Sequence, residues 1–248
     1  MTRRAISLLA LLAMLLVAVG AAQGGSRRAA DGQPLALAAA SLTEVLPRIE
    51  PNGRFSFAGS NQLATQIRQG APFDVFFSAS PVYTQALYAE GLVRKPVAFA
   101  TNDLVVVVPR SNPARLATLA DLARRPKLRL VVAGPKVPIG LYTREVLKRV
   151  RLLKVLRKTV SLEPDVKGIV GKVALGEADA GFVYATDVTP VRNRVRVIPI
   201  PRRAQPTVTY ELAVASKPQD LAAAQELVIS VLGPEGRRAL RAGGFGTP

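Results

Sequence analysis

The sequence predicts an α/β fold in which short buried strands form a mainly parallel sheet flanked by helices. Three observations carry that expectation. Short apolar runs alternate with helical segments through residues 35–80, the pattern of strands joined by crossover helices. The run DLVVVVP at 103–109 is apolar without alternation, as in a central strand buried on both faces. After it, helices and strands begin to alternate a second time.

In chain order, residues 35–40 read as a buried strand. Ser41 stands three residues ahead of Glu44, a capping box that predicts a helix over 42–49. Pro51-Asn52-Gly53 breaks the chain, 54–58 is a strand, 61–69 is a helix ended by Gly70, and 74–78 is a third strand. Gly59-Ser60-Asn61 sits where the second strand hands over to its helix. Free backbone N–H groups and the positive end of the helix dipole can hold an anion there. Taken alone, the triplet is an ordinary helix cap.

A helix is expected over 81–90, extended chain at 97–100 and 104–108, a short helix at 119–124 and a buried strand at 128–133. The turn-rich linker GPKVPIG at 134–140 leads into a helix over 141–149, again presenting N–H groups at a helix start. Residues 155–160 read as irregular or extended, 167–175 as a helix closed by Gly176, and 182–185 as a strand. That strand contains Tyr184, a residue type that in a strand speaks first for core packing. Strands at 194–200 and 207–215, a helix at 221–232 with apolar positions at helical spacing, and a final helix after Gly233 complete the chain.

Composition narrows the chemistry. The 248 residues contain no cysteine and no histidine. Disulfides, thiol nucleophiles and thiolate metal sites are therefore excluded, and the commonest general base and metal ligand are missing. A non-enzymatic protein is expected. Residues 1–24 combine Arg3 and Arg4, an apolar run and small residues, the order of a secretory signal peptide. A disordered tail is expected over 25–32. Without a cysteine for lipid attachment, the exported chain is expected free in a periplasm. The net charge of +17 suggests an anionic partner. The basic residues are scattered, without interleaved aromatics or a nucleic-acid motif, so nucleic acid is not expected and a solvated arginine-rich surface is.

Five segments, in order, resemble the periplasmic molybdate-binding proteins of ABC transporters: AAASL (38–42), FAGSNQLATQI (57–67), GAPFDVFFSAS (70–80), VPIGLYTRE (137–145) and DVKGIVGKVALGEADAGFVYATD (165–187), with a GPEG…GF tail at 233–245. The resemblance implies a two-lobed type II periplasmic binding protein fold. Each lobe would be a mainly parallel sheet flanked by helices, with two crossover strands near 104–108 and 207–214 as the hinge. It divides the chain into lobe I at 33–104 and 210–248 and lobe II at 105–209. It also implies a monomer without a cofactor, serving a membrane permease and its ATPase.

Carried over by motif, the ligand-binding residues are Ser41 and Ser60, through hydroxyls and backbone N–H groups, then the N–H groups of Ile139 and Val166 and the hydroxyl of Tyr184. The metal enters only as the oxyanion, molybdate or tungstate, with no side chain as a direct ligand. None of the five side chains is a carboxylate, which suits a dianion that offers acceptor oxygens only. The family usually has Ala where Ile139 stands, and the Ser41 to Ser60 interval is shorter than usual, so the first helix should be truncated. The alternatives are the same fold binding sulfate, phosphate or a small organic anion. A secreted enzyme would need a nucleophile and a base, and Ser41 or Ser60 has no histidine to activate it.

Overall fold

The computed structural model describes Gly32–Pro248. The expected signal peptide and nearly all of the expected tail lie outside the described residues. Ten strands form two five-stranded sheets, and the chain visits them in the order that positions the site.

The first sheet takes β1 (Leu35–Ala39), β2 (Arg54–Ala58), β3 (Val75–Ser78), β4 (Val97–Asn102) and β10 (Val208–Val214), in the order β2-β1-β3-β10-β4. Strands β1, β2 and β3 pair in parallel, and β10 runs antiparallel to both β3 and β4. The second sheet takes β5 (Leu104–Pro109), β6 (Leu130–Ala133), β7 (Thr159–Glu163), β8 (Ala180–Tyr184) and β9 (Val195–Pro199), in the order β7-β6-β8-β5-β9. Here β6 pairs in parallel with β7 and β8, and β5 is the antiparallel member. The two sheets therefore share one plan, with a single reversed strand in the fourth position.

The same local device starts each sheet. Asp74, just ahead of β3, accepts a hydrogen bond from the Leu35 N–H at the start of β1. Asp179, just ahead of β8, accepts one from the Arg129 N–H beside β6. Both carboxylates are buried, and each offsets its desolvation with these bonds. Apolar strands lie between helices: Leu63, Ala64 and Ile67 of α2 (Ser60–Arg68) and Leu87 of α3 (Pro81–Ala89) pack on Phe76, while Ile169, Val170 and Val173 of α6 (Val166–Ala174) pack on the second sheet.

Several expectations need correction. The helix over 42–49 is not formed: Ala40–Leu42 is a 3₁₀ turn and α1 is only Leu46–Ile49. Pro47 has no N–H, and its ring would collide with the carbonyl four residues earlier, so it is tolerated only in a first turn. The Ser41 hydroxyl pairs with Tyr210 instead of capping. The short α1 agrees with the truncated interval before Ser60. Between α4 (Leu119–Arg124) and α6, the helix α5 begins at Pro138 and runs to Arg149, so half of the expected linker is its first turn. Residues 153–158 are a 3₁₀ segment, and the exposed strand β7 follows them.

The hinge also lies elsewhere than expected. Strands β5 and β10 each belong wholly to one sheet; the chain crosses at Asp103, between β4 and β5, and returns through residues 200–207. The expected return boundary at 210 falls inside β10, where Val208 and Thr209 already pair with Asn102 and Thr101. The Gln205 side chain joins the two crossings. Its Oε1 accepts from the Leu104 N–H at 3.0 Å, and its Nε2 donates to the Leu104 carbonyl at 2.8 Å. Helices α7 (Leu221–Leu232) and α8 (Pro234–Ala242) return the chain to the first sheet, where Gly246 bridges to Thr101.

Candidate functional site

All five sequence-predicted residues, Ser41, Ser60, Ile139, Val166 and Tyr184, line one small cavity between the two sheets. Each sits at or just beyond the carboxyl end of a parallel strand: β1 for Ser41, β2 for Ser60, β6 for Ile139, β7 for Val166 and β8 for Tyr184. Open α/β sheets place their ligands at that end, because the strand-to-helix turns there expose backbone donors.

In the first lobe, Ser60 opens α2 and is almost fully buried. Its Oγ accepts from the Ala79 N–H at 3.1 Å, which holds the side chain in place while its own hydrogen stays available. Ser41 lies 2.9 Å, oxygen to oxygen, from the Tyr210 hydroxyl. Tyr210 is fully buried and meets Phe99, Tyr184 and Phe245 edge-on at 5.5–6.1 Å between centroids, so this anchor is immobile.

In the second lobe, Pro138 is the first residue of α5 and Ile139 the second, while Val166 is the first residue of α6. First-turn N–H groups have no intrahelical acceptor, and the helix dipole adds partial positive charge. Tyr184 is 2% exposed, and its hydroxyl has no hydrogen-bond partner among the described residues. Burial, with Tyr210, Tyr142 and Asp187 nearby, pushes its ionisation well above the ordinary tyrosine range. It is therefore a neutral donor at any physiological pH.

The lobes meet closely at this point. A Cβ on Gly59 would lie 2.5 Å from the Pro164 carbonyl oxygen, an approach only glycine permits. The Tyr83 hydroxyl of α3 donates across the cleft to the Lys136 carbonyl.

Asp165 also lines the cavity and was not among the residues expected from sequence. Its Oδ1 accepts from the Lys167 and Gly168 N–H groups at 2.8 and 3.2 Å, making it the cap of α6 and turning its charge towards the helix. The signal was legible, since an Asp directly before a helix start is a standard cap. Behind the wall, Asp187 is buried and its pKa is pushed up to about 6 by burial, opposed by Lys167. The Lys167 ammonium lies 3.3 Å from Asp187 Oδ1 without an aligned hydrogen bond, and 3.8 Å from Glu44 of the other lobe. Among the described residues, no group of acidic side chains is arranged to hold a metal ion.

Comparison with known proteins agrees with this architecture. The family described as "Bacterial extracellular solute-binding protein" matches residues 52–246. The chain is 38% identical over 198 residues to the molybdate-binding protein ModA of Mycobacterium tuberculosis, covering 79% of this chain and 74% of the relative. It is 31% identical over 216 residues to ModA of Escherichia coli, covering 79% and 82%. The solved periplasmic molybdate-binding protein of Azotobacter vinelandii superposes with a TM-score of 0.77 over 87% of this chain and all of the other, at 20% identity, a likeness of fold. The chain therefore belongs to the bacterial extracellular solute-binding proteins, in their ModA-type group of ABC transporter substrate-binding proteins.

Proposed function

We propose that this protein captures molybdate, and tungstate with it, between its two lobes and delivers the anion to the membrane permease of an ABC transporter. The leader at residues 1–24 and the family support a site of action in the periplasm. The observation that carries the reading is the buried, unpartnered hydroxyl of Tyr184, a residue that lines the same small cavity as two serines and the two residues Ile139 and Val166 with first-turn amides. A buried hydroxyl without a partner costs stability, and a guest made only of acceptor oxygens relieves it.

Five donor residues, two from one lobe and three from the other, surround an anion without an opposing cation. Each hydrogen bond to a charged acceptor contributes about 1.5–3 kcal/mol. After the costs of closure, this is compatible with affinities of about nanomolar to micromolar, −12 to −8 kcal/mol. Because the donors are split between the lobes, only the closed form offers all of them. Ligand binding therefore shifts the population towards closure. A site whose free space is about 20 Å3, far below the roughly 300–1,000 Å3 of sites for organic ligands, favours a small inorganic anion. Sulfate offers the same acceptors as molybdate, so cavity radius must separate them.

Calorimetric titration with molybdate, tungstate and sulfate tests the reading. Tight binding of the first two and weaker binding of sulfate is the expected result. Binding of neither metal oxyanion overturns it.

A further inference from the structure

Ser41 is the one wall hydroxyl whose oxygen is held by another side-chain hydroxyl, and the direction of that bond is decided at the hinge. Asn102 ends β4 at the crossing between the sheets. Its Oδ1 accepts from the Asp103 N–H at 3.0 Å, which fixes the orientation of the amide. Its Nδ2 then has two hydrogens to place. One goes to Thr186 Oγ1 of the second lobe at 2.9 Å, the other to the Tyr210 hydroxyl at 3.4 Å.

An amide nitrogen only donates. Tyr210 therefore accepts from Asn102, and its own hydrogen has one acceptor in reach among the described residues, Ser41 Oγ. Were Ser41 to donate to Tyr210, the fully buried tyrosine hydrogen would be left unpaired, at the desolvation cost of a lost hydrogen bond. The chain Asn102 to Tyr210 to Ser41 thus runs one way and ends with the serine hydrogen free to face the cavity.

We infer that Asn102 and Tyr210 are positioning residues that hold the Ser41 oxygen and leave its hydrogen free to donate at the anion site, a polarity set by the orientation of the Asn102 amide. The inference rests on the oxyanion-binding reading above. Its consequence is affinity: with one lone pair of its oxygen engaged by Tyr210 and its hydrogen claimed by no group among the described residues, Ser41 meets an oxyanion as a donor.

The test is a double-mutant cycle on molybdate affinity in wild type, Tyr210→Phe, Ser41→Ala and the double variant. Tyr210→Phe is expected to weaken molybdate about threefold to tenfold. The double variant should bind no more weakly than Ser41→Ala alone, because the tyrosine acts only through the serine. Additive losses overturn the inference.

Should Tyr210→Phe not fold, Asn102→Asp replaces the donor with an acceptor and reverses the chain. Its penalty on molybdate must be smaller in the Ser41→Ala background; an equal penalty in both backgrounds overturns the inference. Wild-type protein that binds sulfate but neither metal oxyanion defeats the molybdate reading, and the cycle is then read with sulfate. Wild-type protein that binds no tetrahedral oxyanion defeats both.

Discussion

The two lobes build opposite walls of one cavity from the same sheet plan, yet they donate differently. After β1 and β2 the first lobe places serines, each held by a hydrogen bond from the protein. At the corresponding ends of β6 and β7 the second lobe places Ile139 and Val166, whose side chains are apolar and buried and whose contribution, under the proposed function, is the backbone N–H alone. The third position is Ala79 after β3 on one side and Tyr184 on β8 on the other. A hydroxyl donor can be deleted by substitution and must be aimed by its neighbours. A backbone donor survives any substitution that leaves the helix start intact.

The largest contrast should come from removing the side chains at matched positions. Ser60→Ala loses a donor to a charged ligand and leaves the Ala79 N–H without its acceptor, so molybdate should bind about a hundredfold more weakly. Ile139→Ala keeps its donor and should change affinity less than about threefold, while stability falls by about 2–5 kcal/mol. Calorimetry paired with thermal melting separates the two. Comparable affinity losses in both variants would break the distinction between the walls.

A smaller effect is expected where the walls touch. Gly59→Ala suits the backbone of Gly59, φ −61° and ψ 134°, but sets a methyl against the Pro164 carbonyl only when the lobes are together. Molybdate affinity should drop about thirtyfold, the order of an overpacking penalty, with little change in the melting temperature of the ligand-free protein. A fall in melting temperature without a fall in affinity would show that the close approach has no part in closure.

The smallest effect concerns the second lobe alone, which hides a carboxylate without an aligned hydrogen bond behind its wall. The folded pKa of Asp187, about 6, exceeds its ordinary 3.8, so the folded state holds the proton more tightly. Its contribution to stability is present at low pH and is lost as pH rises from about 4 through 6. Asp187→Asn should flatten that part of the melting-temperature profile. Identical profiles would remove Asp187 from the account.

Much of this was legible in the sequence because the informative residues stand at junctions. Ser41, Ser60, Ile139, Val166 and Tyr184 each fall in a motif segment at or beside a junction between strand and helix, and the structure gathers them around one cavity. The capping box at Ser41 misled because a local pattern cannot register a partner 169 residues away, and because Pro47 forbids the helix the box would open. Strand β7 was under-read because it is an exposed edge strand without the continuous apolar run of its neighbours. The hinge was displaced because the apolar signal marks where strands are buried, and the crossings at Asp103 and 200–207 are the polar pieces between them. Asn102 and Tyr210 carry no motif; only the fold brings them to Ser41.

The Gln205 amide, bonded to both the N–H and the carbonyl of Leu104, makes the two crossings a single joint. The two straps are thereby tied side by side. A tie of this kind favours rotation about the paired crossings over shear along the cleft. Under the function proposed above, such a rotation would withdraw the serines of one wall and the amides and phenol of the other from the anion together, and little partly gripped cargo would be carried to the membrane.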